Sequence, residues 1–249
     1  MMTSEVIEGY NQRLFSGNWR SHIHLSRFYW LARQMRRLQL EGARIIELGC
    51  FDGRIIDLLD SQPSYYLGLD ANWEGGLDAG RRRWQDRPNV EMVLCRDPAD
   101  IATPAMPFGV GICMETLEHV PPELVEPYLL RLSQVANGYL FITVPIERGL
   151  VFLLKHSVKR LLGMKDDSFS GWDFINSVLG RLDRVERREH KGFDDRVLVK
   201  AVSKFFDVIR IAGVFPGFPI RSLNLTIGII AKTKEPRGEI DASRVTGDP

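Results

Sequence analysis

The stretch Ile45-Ile46-Glu47-Leu48-Gly49-Cys50-Phe51-Asp52-Gly53 decides the fold. It opens as a short, mostly apolar run that Gly49 ends, the pattern of a buried strand entering a tight turn. Residues 53–60 then take helical spacing and stop at Gln62-Pro63. The same rhythm repeats downstream. Strands are expected over 65–70, 90–95, 108–114 and 139–144, and helices over 77–84 and 123–135. Pro122 falls in the first turn of that second helix, where proline is tolerated. Asn137-Gly138 reads as a turn, and Gly109 and Gly111 mark close backbone approach inside a strand. Strands alternating with helices mean a parallel sheet covered on both faces.

The rhythm lapses over 149–189. Residues 151–164 read as an amphipathic basic helix (Lys155, His156, Lys159, Arg160), and 168–189 carries Trp172, Phe174 and a charged stretch. Regularity returns with a helix over 193–205 and strands over 207–212 and 223–231, which pair as an antiparallel hairpin closing the sheet. Upstream, residues 4–40 read as helical, with Tyr10, Leu14, Phe15, Leu25, Phe28, Leu31 and Met35 at helical steps and a break at Gly17-Asn18. The expected fold class is α/β: a seven-stranded, mostly parallel sheet with helices on both faces and an antiparallel last strand.

The chain has 249 residues, 44% of them apolar, enough for one large domain with a full core. Its 33 basic and 32 acidic residues nearly cancel, which speaks against a protein held to nucleic acid by overall charge. Cys50, Cys95 and Cys113 lie far apart without a Cys-x-x-Cys pair, so neither a disulfide framework nor a thiolate zinc site is indicated. No signal peptide is visible and no apolar run approaches the ~20 residues that cross a bilayer, so a soluble cytoplasmic protein is expected. The basic helix over 151–164 leaves peripheral membrane contact open.

Glycines at a strand-to-helix turn let a ligand approach the backbone, and an acid about 20 residues on, here Asp70, can grip both hydroxyls of a ribose. A dinucleotide pyrophosphate calls for Gly-x-Gly-x-x-Gly. Here the spacing is Gly49-x-x-x-Gly53, and Glu47 beside it repels phosphate but suits a ligand with a cationic amino group. On these residues the chain resembles the class I S-adenosylmethionine-dependent methyltransferases, over 43–147 and again over 190–232. The resemblance implies methyl transfer with S-adenosylmethionine as cofactor. It implies that Glu47, Gly49, Cys50 and Gly53 wrap the methionine part, with Phe51 in place of the middle glycine. Asp70 would bind the ribose hydroxyls, with Ala71 and Asn72 near the adenine and Asp97-Pro98 at its amine. Met114 and Glu115 would lie beside the transferred methyl.

The expected acceptor is a small molecule, most readily through a hydroxyl oxygen, because Glu115-x-x-Glu118-His119 is similar to the segment of quinone-biosynthesis O-methyltransferases. The same segment resembles small-RNA 3′-end 2′-O-methyltransferases, so RNA 2′-O-methylation stays open. A binding subunit without catalysis, supported by Phe51 in the glycine loop, stays open too. His119, at the carboxyl end of the fourth strand, is the candidate general base, with Glu118 and His190 as further catalytic candidates. Glu115, Glu118 and His119 share one helical face. The resemblance implies that such Glu and His positions, with His190, hold magnesium, manganese or zinc. The reading without an ion is preferred here, since Glu-His-Val segments also occur in metal-free members. Residues 1–40 then form a helical cap and 41–148 the cofactor-binding core. Residues 149–189 are an insertion covering the active-site mouth, 190–233 complete the sheet, and 234–249 are a flexible tail.

Overall fold

The computed structural model describes residues 19–161, 169–188, 190–215 and 224–234. The helical turns expected before residue 19, the end of the basic helix over 162–164 and the tail from 235 lie outside the described residues. The strands are β1 (Arg44–Leu48), β2 (Tyr65–Asp70), β3 (Val90–Leu94), β4 (Phe108–Met114), β5 (Ala136–Pro145), β6 (Phe206–Gly213) and β7 (Thr226–Thr233). They form one sheet of order 3-2-1-4-5-7-6. Neighbours from β3 to β5 pair in parallel, with Ile46 between Leu67 and Gly111, and β7 runs antiparallel to both β5 and β6. The helices are α1 (Trp19–Arg37), α2 (Gly76–Arg83), α3 (Pro122–Val135), α4 (Gly149–Leu161), α5 (Gly171–Val178) and α6 (Asp195–Phe205).

Successive strand side chains point to opposite faces, so each central strand feeds two cores. Ile46, Leu140, Ile142 and Ile229 pack with Leu129 and Leu132 of α3 and Leu198 and Val202 of α6. Ile45, Ile112, Phe141 and Ile230 pack with Trp30, Leu31 and Met35 of α1 and Leu77 of α2. The sheet is thereby buried on both faces, which is why its central strands are nearly continuously apolar.

Two local expectations change. The segment after β1 is a 3-10 turn, Arg54–Leu58, rather than an α-helix. Burial of Ile55 and Ile56 holds this short turn against the sheet. Asn137-Gly138 lies inside β5 and is not a turn. A Cβ at Gly138 would sit 2.1 Å from the Gly109 carbonyl oxygen, so glycine here permits close strand contact beside the bulge between Phe108 and Val110. The strand order reverses between β1 and β4, and open α/β sheets bind ligands outside the carboxyl ends of strands at such a point.

Candidate active site

A cavity of about 930 Å³ opens at that reversal, over the carboxyl ends of β1, β2 and β4. Its rim is the turn after β1. Gly49 holds φ 77° and donates its N–H to the Leu69 carbonyl at 2.7 Å. A Cβ there would fall 2.1 Å from Thr116 Oγ1, so this glycine is required both by conformation and by contact. Phe51 adopts the left-handed region (φ 51°) that the absent middle glycine would favour.

Asp70 closes β2 into the cavity. Its two carboxylate oxygens accept the N–H groups of Phe51 (2.9 Å) and Asn72 (2.7 Å), which fix its orientation and leave lone pairs for further donors. Burial raises its pKa and these two bonds oppose the rise. Glu47 is buried, and that burial pushes its carboxyl up to about 8, against the Tyr66 hydroxyl that donates to it and the Arg27 charge nearby. On the β4 side, burial raises Glu115 against the charges of Arg27 and Lys155, and burial, then the Glu115 charge, raise Glu118 well above the usual carboxylate range. The His119 and His190 rings meet edge to face, 4.4 Å between centres. His190 Nδ1 lies 3.9 Å from Glu118 Oε1, and burial, then the charges of His119 and Lys155, lower its pKa to about 4. Arg187 donates to the Glu118 carbonyl at 3.0 Å and lies over the Phe193 ring, tying the segment before α6 to this turn.

Of the residues singled out from sequence, Glu47, Gly49, Cys50, Asp70, Ala71, Met114, Glu115, His119 and His190 line the cavity. Glu118 lies behind it, fully buried. Gly53, Asn72, Asp97 and Pro98 do not line it. Gly53 shapes the turn at φ 67°. Asn72 bonds Asp78, and Asp97 caps the turn 98–100 by accepting the Ala99 N–H. The sequence reading missed Arg27 and Phe28 of α1, Trp73, Thr116, and Leu124 and Tyr128 of α3. An arginine inside the apolar stripe of α1 was the one available signal, for Arg27 is buried there.

No family model matches the sequence. Over 93 residues the chain is 31% identical to a ubiquinone biosynthesis O-methyltransferase of Xylella fastidiosa. That match takes in 34% of this chain and 35% of that protein, so the chain aligns with about a third of the length of the curated relatives it matches. Among solved structures, an S-adenosylmethionine-dependent methyltransferase of Clostridium acetobutylicum ATCC 824 is similar at TM-score 0.62 and 11% identity, covering 91% of this chain and 96% of that one. A magnesium protoporphyrin IX methyltransferase of Synechocystis PCC 6803 with bound SAH is similar at TM-score 0.58 and 16% identity, covering 91% and 89%. By the order of its strands, the antiparallel β7 and this likeness, the chain has the fold of the class I S-adenosylmethionine-dependent methyltransferases.

Proposed function

We propose that this protein transfers a methyl group from S-adenosylmethionine to a hydroxyl oxygen of a small-molecule acceptor. One observation carries the reading: the Glu47 and Asp70 carboxylates close adjacent strands in the same cavity that the His119–His190 pair enters. The residues fit the cofactor. Glu47 is a buried carboxylate suited to the ammonium of a methionine moiety, and Asp70 presents two oriented oxygens to ribose hydroxyls.

S-adenosylmethionine supplies a methyl on a sulfonium, so attack by the acceptor oxygen forms an O–C bond, sends the C–S electron pair to sulfur and releases the hydroxyl proton. His119 stands at the carboxyl end of β4 to accept that proton. His190 is held neutral and braces the His119 ring. Phe51 preserves the glycine-turn geometry, which argues for an active enzyme over an inactive binding subunit.

The same cluster also suits a divalent ion. One ligand atom each from Glu118, His119 and His190 lies within 4.8 Å of the others. Both Glu118 oxygens and His190 Nδ1 are buried without a hydrogen-bond partner among the described residues. These three residues would hold such an ion, which would supply acidification of the acceptor hydroxyl.

The test combines calorimetry with S-adenosylhomocysteine and label transfer from S-adenosylmethionine to a panel of catechols and phenols, with a short RNA alongside. Asp70→Ala should weaken binding by about 1.5–3 kcal/mol, and His119→Ala should retain binding while losing turnover. Absence of cofactor binding by the folded wild type would overturn the reading. Methylation of the RNA alone would move the acceptor to a ribose 2′-hydroxyl. Full activity after exhaustive chelation would remove the ion.

A further inference from the structure

Tyr66 is fully buried in β2 and shares its core with Ile45, Met92 and Ile112. A hydroxyl in such a place needs a partner. The partner is a carboxylate: the Tyr66 hydroxyl donates to Glu47 Oε2. The bond runs along the sheet rather than straight across it. Ile45 lies opposite Tyr66 and Glu47 opposite Gly68, so Tyr66 and Glu47 are diagonal neighbours on one face. Gly68 keeps the place between them open, since a Cβ there would lie 3.0 Å from Tyr66 Cε1. A glycine opposite Glu47 thus gives the tyrosine ring room to bring its hydroxyl to the carboxyl.

Glu47 lines the cavity although it is only 3% exposed. The groups that face it come from three elements: Arg27 of α1, Asp52 of the turn after β1, and Asp70 with Tyr66 of β2. Asp52 and Asp70 add to burial in disfavouring its charge. The Tyr66 hydrogen bond heads the opposing influences, ahead of the Arg27 charge. The tyrosine itself stays protonated. Burial, then the charges of Glu47 and Cys50, hold its hydroxyl well above the ordinary range, with Asp52 acting in the same sense. It is therefore a permanent donor, and a donor bonds a carboxylate more strongly than a carboxylic acid. Each carboxylate oxygen can accept more than one donor, so this bond leaves capacity for a ligand.

Resting on the reading that the cavity takes S-adenosylmethionine, we propose that Tyr66 is the positioning residue for the methionine end of the cofactor. Its hydroxyl holds Glu47 as an oriented carboxylate to receive the ammonium, and so sets how far toward acid pH the protein keeps its affinity. Tyr66 does this from behind Glu47, without lining the cavity itself.

The test measures the affinity of S-adenosylhomocysteine for the wild type and Tyr66→Phe from pH 6.5 to 8.5. Alongside it runs 5′-methylthioadenosine, which lacks the amino-acid end. Loss of a hydrogen bond to a charged group should weaken S-adenosylhomocysteine binding about tenfold at pH 6.5. The deficit should narrow to about threefold at pH 8.5, where Glu47 ionises more fully in both proteins. Both proteins meet the same ligand, so titration of its amine cancels in the ratio. Binding of 5′-methylthioadenosine should be equal in the two proteins at every pH, which also shows that the variant is folded. Fluorotyrosine inserted at position 66 keeps the ring and strengthens the donor. It should tighten S-adenosylhomocysteine binding at pH 6.5, a gain that a merely structural tyrosine would not give, and it decides the matter if Tyr66→Phe does not fold. A deficit in Tyr66→Phe that is constant with pH, or equal for both ligands, would overturn the proposal alone, as would a fluorotyrosine protein no tighter than the wild type. If the folded wild type binds neither ligand, the methyltransferase reading falls and this proposal with it.

Discussion

Phe51 stands where the turn after β1 calls for glycine, and its surroundings show how the substitution is tolerated. A left-handed backbone costs an ordinary side chain about 1–2 kcal/mol. The ring lies over Gly76, where a Cβ would come within 2.3 Å of Phe51 Cδ2, so ring burial offsets the strain. A half-buried phenyl ring contributes about 1–1.5 kcal/mol. The two terms nearly cancel, and Phe51→Gly should leave urea stability within about 1 kcal/mol of the wild type. Gly49 has no such offset. Alanine there meets both φ 77° and the Thr116 side chain, whose Cβ would lie 2.8 Å from the new methyl. Gly49→Ala should lose about 2–4 kcal/mol and bind S-adenosylhomocysteine more weakly. A wild-type urea midpoint for Gly49→Ala would contradict this account of the turn.

At the scale of the element, α1 is the part that joins packing to the site. Trp30 meets Phe141 of β5 edge-on at 6.2 Å, and it fits because β7 offers Gly228 beneath it, where a Cβ would sit 2.3 Å from Trp30 Cζ2. Arg27 and Phe28, one turn earlier, reach the cavity. Trp30→Ala should therefore cost about 3–5 kcal/mol and weaken S-adenosylhomocysteine binding together, which chemical denaturation and calorimetry would read separately. A loss of stability with affinity unchanged would detach α1 from the site. The strands from β1 to β5 were legible in the sequence because a strand buried on both faces has little choice but to be apolar, and Glu47, Gly49 and Asp70 because their places follow from strand ends. Arg27 was not legible as a site residue, since its carboxylate neighbours, Glu47 in β1 and Glu115 just after β4, lie far along the chain. Gly138 was misread for the same reason: Asn-Gly is a turn signal locally, and only the Gly109 carbonyl of another strand shows why glycine is there.

Across the whole molecule, three buried carboxylates, Glu47, Glu115 and Glu118, gather at one end of the sheet, and the cations that oppose them come from outside it. Arg27 is on α1, Lys155 on α4 and Arg187 before α6. The ligand-free fold thus favours the protonated form of these acids more than the unfolded chain does. For Glu47 the ordinary value is 4.5 and the folded value about 8. Its contribution to stability is full below the lower value and is lost as pH rises toward the upper one. His190, lowered from 6.5 to about 4, acts in the opposite sense, its contribution disappearing as pH falls through that window. Above pH 6.5 the histidine is silent and Glu47 contributes a slope of about 1.4 kcal/mol per pH unit, in the same sense as the raised Glu118. The unfolding midpoint of the ligand-free protein should therefore fall between pH 6.5 and 8. S-adenosylhomocysteine brings an ammonium to Glu47 and favours its ionised form, so the ligand-bound midpoint should fall less. The gap between them should widen by about 4–6 °C across that range. Glu47→Gln has no proton to hold there. Its ligand-free midpoint should exceed the wild type's at pH 8, converge with it toward pH 4.5 and respond little to the ligand. Differential scanning fluorimetry across the pH series reads all three, and a ligand shift in the wild type that stays constant from pH 6.5 to 8 would show that Glu47 is not the group meeting the cofactor's amine.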